Sequence, residues 1–266
     1  MKILRQYLIL VLILTLPFWM VGYLFDATKV IPIKLPISAL QFLAVLIAVI
    51  IVTKRNNGSA NQILLRGIDF YRIKKKEWKL GVFLLMPLTV LLSYFIMKWS
   101  GLHIPNKITP IWTLPLFLFI YGISGYSEQL GWTAIATDKL LSKFNIVSTG
   151  LIVGLIWASW HIIPFIQTRN TATWILWQCA FTVVYRIVMT KIYVITNKSV
   201  FATIALHATY NAAFSMMPYY GSSYNPMYMA LATFIVGLIV FILFGKRSDI
   251  KFDKHIQNDK MPAANK

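Results

Sequence analysis

The sequence predicts an all-α, polytopic membrane protein with about eight transmembrane helices and both termini in the cytoplasm. Three observations lead there. Of the 266 residues 58% are hydrophobic, well above the half that is ordinary for a soluble domain. The apolar residues fall in long runs, each able to cross about 30 Å of hydrocarbon as a helix. The basic residues fall between those runs in a pattern that alternates along the chain.

The runs lie at roughly 4–25, 33–53, 80–100, 110–137, 146–167, 172–195, 198–216 and 225–245. Helices are the only choice for them, because a backbone in lipid must satisfy its polar groups within the segment, and the alternation of a barrel strand is absent. The first run follows Lys2 and Arg5, exceeds a signal-peptide core in length and has no small-x-small cleavage site after it, so it is expected to be a retained span. The 54–79 loop holds the turn Asn56-Asn57-Gly58-Ser59, then Ile63-Leu64-Leu65 and Ile68, which predict a short amphipathic helix on the membrane surface. Residues 1–247 read as one integral membrane domain, with a core at about 110–215. Residues 248–266 read as a polar, disordered cytoplasmic tail.

With the N-terminus placed inside, all but five of the 26 Lys and Arg fall on the cytoplasmic side; the exceptions are Lys29, Lys34, Lys98, Lys107 and Arg169. This placement accounts for the net charge of +18 as topology determinants and contacts to anionic lipid, and it argues against nucleic acid as a partner. The single cysteine, Cys179, excludes an internal disulfide framework. Lys-, Asn- and Ile-rich composition suggests a bacterial cell membrane.

Chemistry is concentrated in a few intramembrane polar residues. The chain has two glutamates; Glu77 sits among lysines, whereas Glu128 lies inside an apolar run. A charge there costs on the order of 3 kcal/mol by insertion scales, so it marks a functional site by default. Two of the four histidines, His161 and His207, also lie in apolar runs. Trp157 and His161 are four apart and share a helix face, as do His207 and Asn211. Gly131, after Glu128, permits close helix contact. Each alone fits interhelical hydrogen bonding; together they have no charged partner but one another, with Arg186 of the sixth run placed near enough to the cytoplasmic end to snorkel. A buried carboxylate can serve as general base toward water, a histidine can share the proton, and an amide and a second imidazole can donate to an oxyanion. That set hydrolyses amides without Ser, Cys or cofactor. The same Glu128, His161 and His207 also form a candidate zinc set with an open position, although no H-E-x-x-H helix is present.

The segments Glu128-Gln129-Leu130-Gly131-Trp132-Thr133, Trp157-Ala158-Ser159-Trp160-His161 and His207-Ala208-Thr209-Tyr210-Asn211 resemble the three motifs of the CPBP family of CAAX proteases and bacteriocin-processing enzymes, also called the Abi family. The flanking Gly154-Leu155-Ile156-Trp157 and Thr196-Asn197-Lys198-Ser199 resemble it too. The resemblance implies an eight-helix intramembrane endopeptidase acting on a membrane-associated protein or peptide, with its site toward the cytoplasmic half. It implies that Glu128 and His161 activate water and that His207 and Asn211 form the oxyanion hole. Gln129 and Thr133 stand where the family pattern has Glu and Arg; acid and base gone together would leave no orphan charge. A catalytically silent relative, acting as a membrane scaffold or bacteriocin-immunity protein, is the competing class. A proton-linked transporter would carry repeated halves and broken helices, which are absent from the sequence.

Overall fold

A computed structural model describes residues 1–24 and 37–245; the tail expected at 248–266 lies outside the described residues. All regular structure among the described residues is helical. The eight long helices fall on the eight apolar runs: α1 (Lys2–Leu24), α2 (Phe42–Arg55), α4 (Lys76–Trp99), α5 (Leu114–Gly131), α7 (Ile146–Gln167), α8 (Ala172–Ile195), α9 (Val200–Ser215) and α10 (Pro226–Phe244). Two short helices, α3 (Ala60–Leu65) and α6 (Asp138–Leu141), complete the set. Six described helices are long and apolar enough to cross a membrane; the two long ones outside that group are α5 and α9, the carriers of Glu128 and His207.

Packing places α9 and the C-terminal end of α5 at the centre. α9 packs on α5, α4 and α8, and nearly every one of its residues is buried, so it has no lipid-facing stripe. α7 lies along α8 on a seam of small residues. A Cβ added at Gly150 would sit 2.6 Å from the backbone of Ile187, and one at Gly154 would sit 2.9 Å from that of Val183. Only glycine lets the two backbones come so close. Gly131 does the same for α5: a Cβ there would collide with the Tyr7 hydroxyl of α1 and with Val45 of α2.

The path after α5 departs from a simple span. Trp132–Thr137 form a π-helical segment, buried throughout, which continues directly into α6. The Asp138 N–H reaches back five residues to the Thr133 carbonyl, and the Thr137 hydroxyl donates to the Trp132 carbonyl at 2.8 Å. Such wide turns occur mostly as single turns inside α-helices, often beside functional groups.

The 54–79 loop is docked on the bundle and not merely laid on a membrane surface. Ile63 and Leu64 pack against the core while Leu65 and Ile68 stay exposed. The Tyr126 hydroxyl donates to the Leu64 carbonyl at 2.9 Å. Asp69, fully buried, accepts from the Ser199 hydroxyl at 2.8 Å and from the backbone N–H groups of Phe201 at 3.0 Å and Val200 at 3.2 Å. A side chain distant in sequence thus caps the N-terminus of α9, where carboxylates are favoured. Arg66 and Arg72 flank Asp69 at 3.7 and 3.5 Å, and Lys198 pairs with Asp138 at 2.9 Å. Asn56 donates to Gln6 at 2.8 Å. These contacts gather the start of α1, the 54–79 loop, α6 and the α8–α9 turn at one basic end of the bundle.

Candidate functional site

Glu128 lies on α5 with only 6% of its surface exposed. Its Oε2 accepts from Trp157 Nε1 at 2.8 Å, a bond from α7. The Trp157 indole lies 5.5 Å from the His161 ring on its own helix and 5.7 Å from the His207 ring on α9, centroid to centroid. One tryptophan therefore touches the carboxylate and both imidazoles expected at the site. Asn211 follows one turn after His207 and donates to the His207 carbonyl at 3.1 Å, leaving its second amide hydrogen free of that bond. Counted along α7, His161 lies nearer Gln167 than Ile146, so the set straddles the middle of the bundle and is not confined to the half nearest the basic end.

The ring nitrogens are distinguished by their partners. His161 Nδ1 lies 2.9 Å from the Trp157 carbonyl oxygen. A carbonyl only accepts, so Nδ1 carries the proton and Nε2 of the neutral ring keeps a lone pair. His207 Nδ1 lies 2.9 Å from Gln129 Nε2. An amide nitrogen only donates, so here Nδ1 is the acceptor and Nε2 of the neutral ring carries the proton. The two histidines thus present opposite faces to a reactant: one accepts, the other donates.

Gln129 and Thr133, where the resemblance leads one to expect Glu and Arg, are both buried and bonded to one another, Thr133 Oγ1 donating to Gln129 Oε1 at 2.8 Å. Arg186, expected to snorkel toward the cytoplasmic end, instead lies beside them. It does not snorkel; it is 1% exposed, and its Nη1 donates to Gln129 Oε1 at 3.0 Å and Thr133 Oγ1 at 3.2 Å. Its guanidinium carbon stands 4.3 Å from the centre of the Trp157 ring. The cation has come from α8 instead of from position 133. Guanidinium is planar, weakly hydrated and able to stack on an indole, which makes it the cation best suited to such a place. The sequence did carry a signal: Arg186 is the one charged residue in the apolar run until Lys191, with no acidic residue on its own helix.

Among the described residues, no group of three His, Cys, Asp or Glu side chains is placed to hold a metal ion. Cys179 is half-buried and its thiol faces the Ala158 carbonyl at 4.0 Å, outside the cluster.

Comparison with known proteins then bears on this cluster. The Rce1-like type II CAAX prenyl endopeptidase family matches residues 107–213, the segment that holds Glu128, Trp157, His161, Arg186, His207 and Asn211. The central segment is thus similar to Rce1-like CAAX endopeptidases. A CAAX prenyl protease 2 from the archaeon Methanococcus maripaludis is 24% identical over 137 residues, which are 47% of this chain and 48% of that protein. The chain therefore matches about half the length of that relative. Helices α1 to α4 and α10, which lie outside the family core, supply its surroundings: Tyr7 and Val45 close on Gly131, and the loop carrying Asp69 holds the start of α9.

Proposed function

We propose that the chain is an intramembrane endopeptidase that cleaves a membrane-associated protein or peptide. The observation that carries this reading is the Trp157 hub, which joins one buried carboxylate to two imidazoles of opposite hydrogen-bonding sense. In this mechanism a water lies between Glu128 and Nε2 of His161. Glu128 takes the water proton as its oxygen attacks the scissile carbonyl carbon, and the carbonyl π pair moves onto oxygen. His207 Nε2–H and the second amide hydrogen of Asn211 donate to that oxyanion. Collapse of the tetrahedral intermediate breaks the C–N bond, and the proton held by Glu128 passes to the leaving amine. No cofactor enters. Lipid surrounds the domain at 1–247, and the basic end faces the cytoplasm, as the distribution of Lys and Arg favours.

The relative's name makes a peptide ending in a prenylated cysteine motif the first substrate to assay. Wild-type and Glu128→Gln protein, each reconstituted in proteoliposomes at equal abundance, are compared on a fluorogenic farnesylated peptide and on an unprenylated membrane-anchored peptide. Glu128→Gln keeps the shape and the bond from Trp157 but accepts no proton. It should lower kcat by about 10²-fold or more, the usual share of general-base catalysis. Equal turnover by wild type and variant would refute the base assignment. A variant that restores the host phenotype fully in the absence of any proteolysis would establish the scaffold class instead.

A further inference from the structure

We infer that Arg186 is a positioning residue that sets, through Gln129, the tautomer in which His207 offers its Nε2 proton. The inference rests on the reading of His207 as an oxyanion donor, and it follows from counting donors and acceptors along one chain of side chains.

The chain has three links. Arg186 can only donate, and its Nη1 lies 3.0 Å from one oxygen or nitrogen position of the Gln129 amide and 3.2 Å from Thr133 Oγ1. The amide position facing it must therefore be oxygen. That turns the amide nitrogen toward His207, 2.9 Å from Nδ1. A donor facing Nδ1 requires a lone pair on Nδ1, and the neutral ring then carries its proton on Nε2. Thr133 alone would not fix this direction. Its hydroxyl donates to Gln129 Oε1 at 2.8 Å, but a hydroxyl can equally accept from an amide nitrogen. Arg186 is the only member of the chain that lacks a choice, so it gives the chain its direction.

This explains why position 129 bears an amide. A carboxylate at 129 would also accept from Arg186 and Thr133, but it would accept from His207 Nδ1–H too. The neutral ring would then hold a bare Nε2, and only the imidazolium would still donate there. It also explains why a cation is kept in a buried place where a charge is costly: Gln129 is completely buried, so the amide has no water to orient it.

The titratable neighbours of the imidazole are few. α9 packs against α5, α4, α8 and the Arg66–Ile68 turn. Arg186 of α8 and His161 of α7 act on it electrostatically, and Glu128 of α5 is tied to the same indole. α4 has no charged residue between Lys79 and Lys98, and Arg66 is engaged with Tyr193 and the Lys198 carbonyl at the start of α9.

The test reads the tautomer directly and does not depend on turnover. Full-length protein labelled with nitrogen-15 histidine is studied in detergent by long-range proton–nitrogen correlation, with His207→Gln identifying the His207 signals. Wild type should show a neutral ring protonated at Nε2. Arg186→Met should yield a mixture of both tautomers, with Arg186→Lys restoring the Nε2–H form in part. Gln129→Glu supplies Arg186 with a stronger acceptor, so it folds without an orphan charge, and it should move the neutral ring's proton to Nδ1. Nδ1 protonation in wild type, or an unchanged Nε2–H tautomer in both Arg186→Met and Gln129→Glu, would overturn the inference. Turnover adds a second reading. In Arg186→Met, kcat should fall in proportion to the share of His207 rings that lose Nε2–H, with KM little changed. If the tautomers behave as described while no peptide is cleaved, the endopeptidase reading fails and the positioning chain stands.

Discussion

Trp157→Phe isolates the one hydrogen bond that a described residue makes to the Glu128 carboxylate. The phenyl ring keeps an aromatic face for Arg186 and for the two imidazoles but deletes the Nε1–H. The bond is 2.8 Å long and its acceptor is 6% exposed, so water does not replace it freely. A hydrogen bond to a charged group is worth about 1.5–3 kcal/mol. If Glu128 is the base, that energy orients its attacking lone pair, and losing it should lower kcat by about ten- to hundredfold, since 1.36 kcal/mol is tenfold in rate. KM should change little, because the indole is proposed to touch the base and not the substrate. The assay is steady-state peptide cleavage in proteoliposomes, with thermal unfolding in detergent alongside. Trp157→Leu removes the ring as well as the donor and should cost more than Trp157→Phe, the excess reporting the stacking of Arg186. Unchanged kcat in Trp157→Phe, with correct folding, would refute the argument that this bond prepares Glu128.

Further expectations concern the scaffold. Asp69→Ala removes three bonds from the start of α9 and should lower stability by about 1–2 kcal/mol, the range of a lost helix cap, measured as a lower midpoint of thermal unfolding in detergent. Gly150→Val places atoms against the Ile187 backbone and should cost about 1–3 kcal/mol or more through overpacking, read as reduced folded yield; Gly122→Ala, where an added Cβ meets nothing within 4 Å, serves as the control. Asp138→Asn breaks a half-exposed pair with Lys198 and should change stability by less than about 1 kcal/mol. Reporter fusions at Ser59 and at the C-terminus should report the same, cytoplasmic side; opposite sides would remove a span from the topology.

Helix placement was legible because hydropathy is a local quantity: each of the eight apolar runs holds one long helix, although α2 starts nine residues after its run and α5 ends six before the end of its own. α5 and α9 stand outside the group that is long and apolar enough to cross a membrane: Glu128 and Gln129 lower the hydropathy of α5, and α9 has only 16 residues. The pairs Trp157–His161 and His207–Asn211 could be placed on shared faces by their spacing of four. Contacts between helices were not legible. Nothing in the sequence says that Arg186 meets positions 129 and 133, because a guanidinium near a helix end reaches water or a neighbour equally well. Asp69 carries no signal in the sequence, because a carboxylate in a basic loop already has local partners in Arg66 and Arg72; its role at the start of α9 spans 130 residues of sequence. The face of Gly131 toward close contact was readable, but not that Tyr7 and Val45 would fill it.

The π-helical segment at Trp132–Thr137 has a consequence for length variation. An α-helix turns by about 100° per residue, so adding or removing one residue within Leu116–Gly122 would swing Glu128 and Gln129 off their partners on α7, α8 and α9. At 132–137 the outcome reverses. A wide turn stores one residue more than an α turn, and removing it closes the ladder while both flanks keep their azimuth. The Glu128 side would still meet Trp157, and Asp138 would still meet Lys198. A single-residue deletion there should therefore be absorbed where the same deletion at 116–122 would abolish the cluster. Alignments of this core with relatives should place any one-residue gap inside this turn.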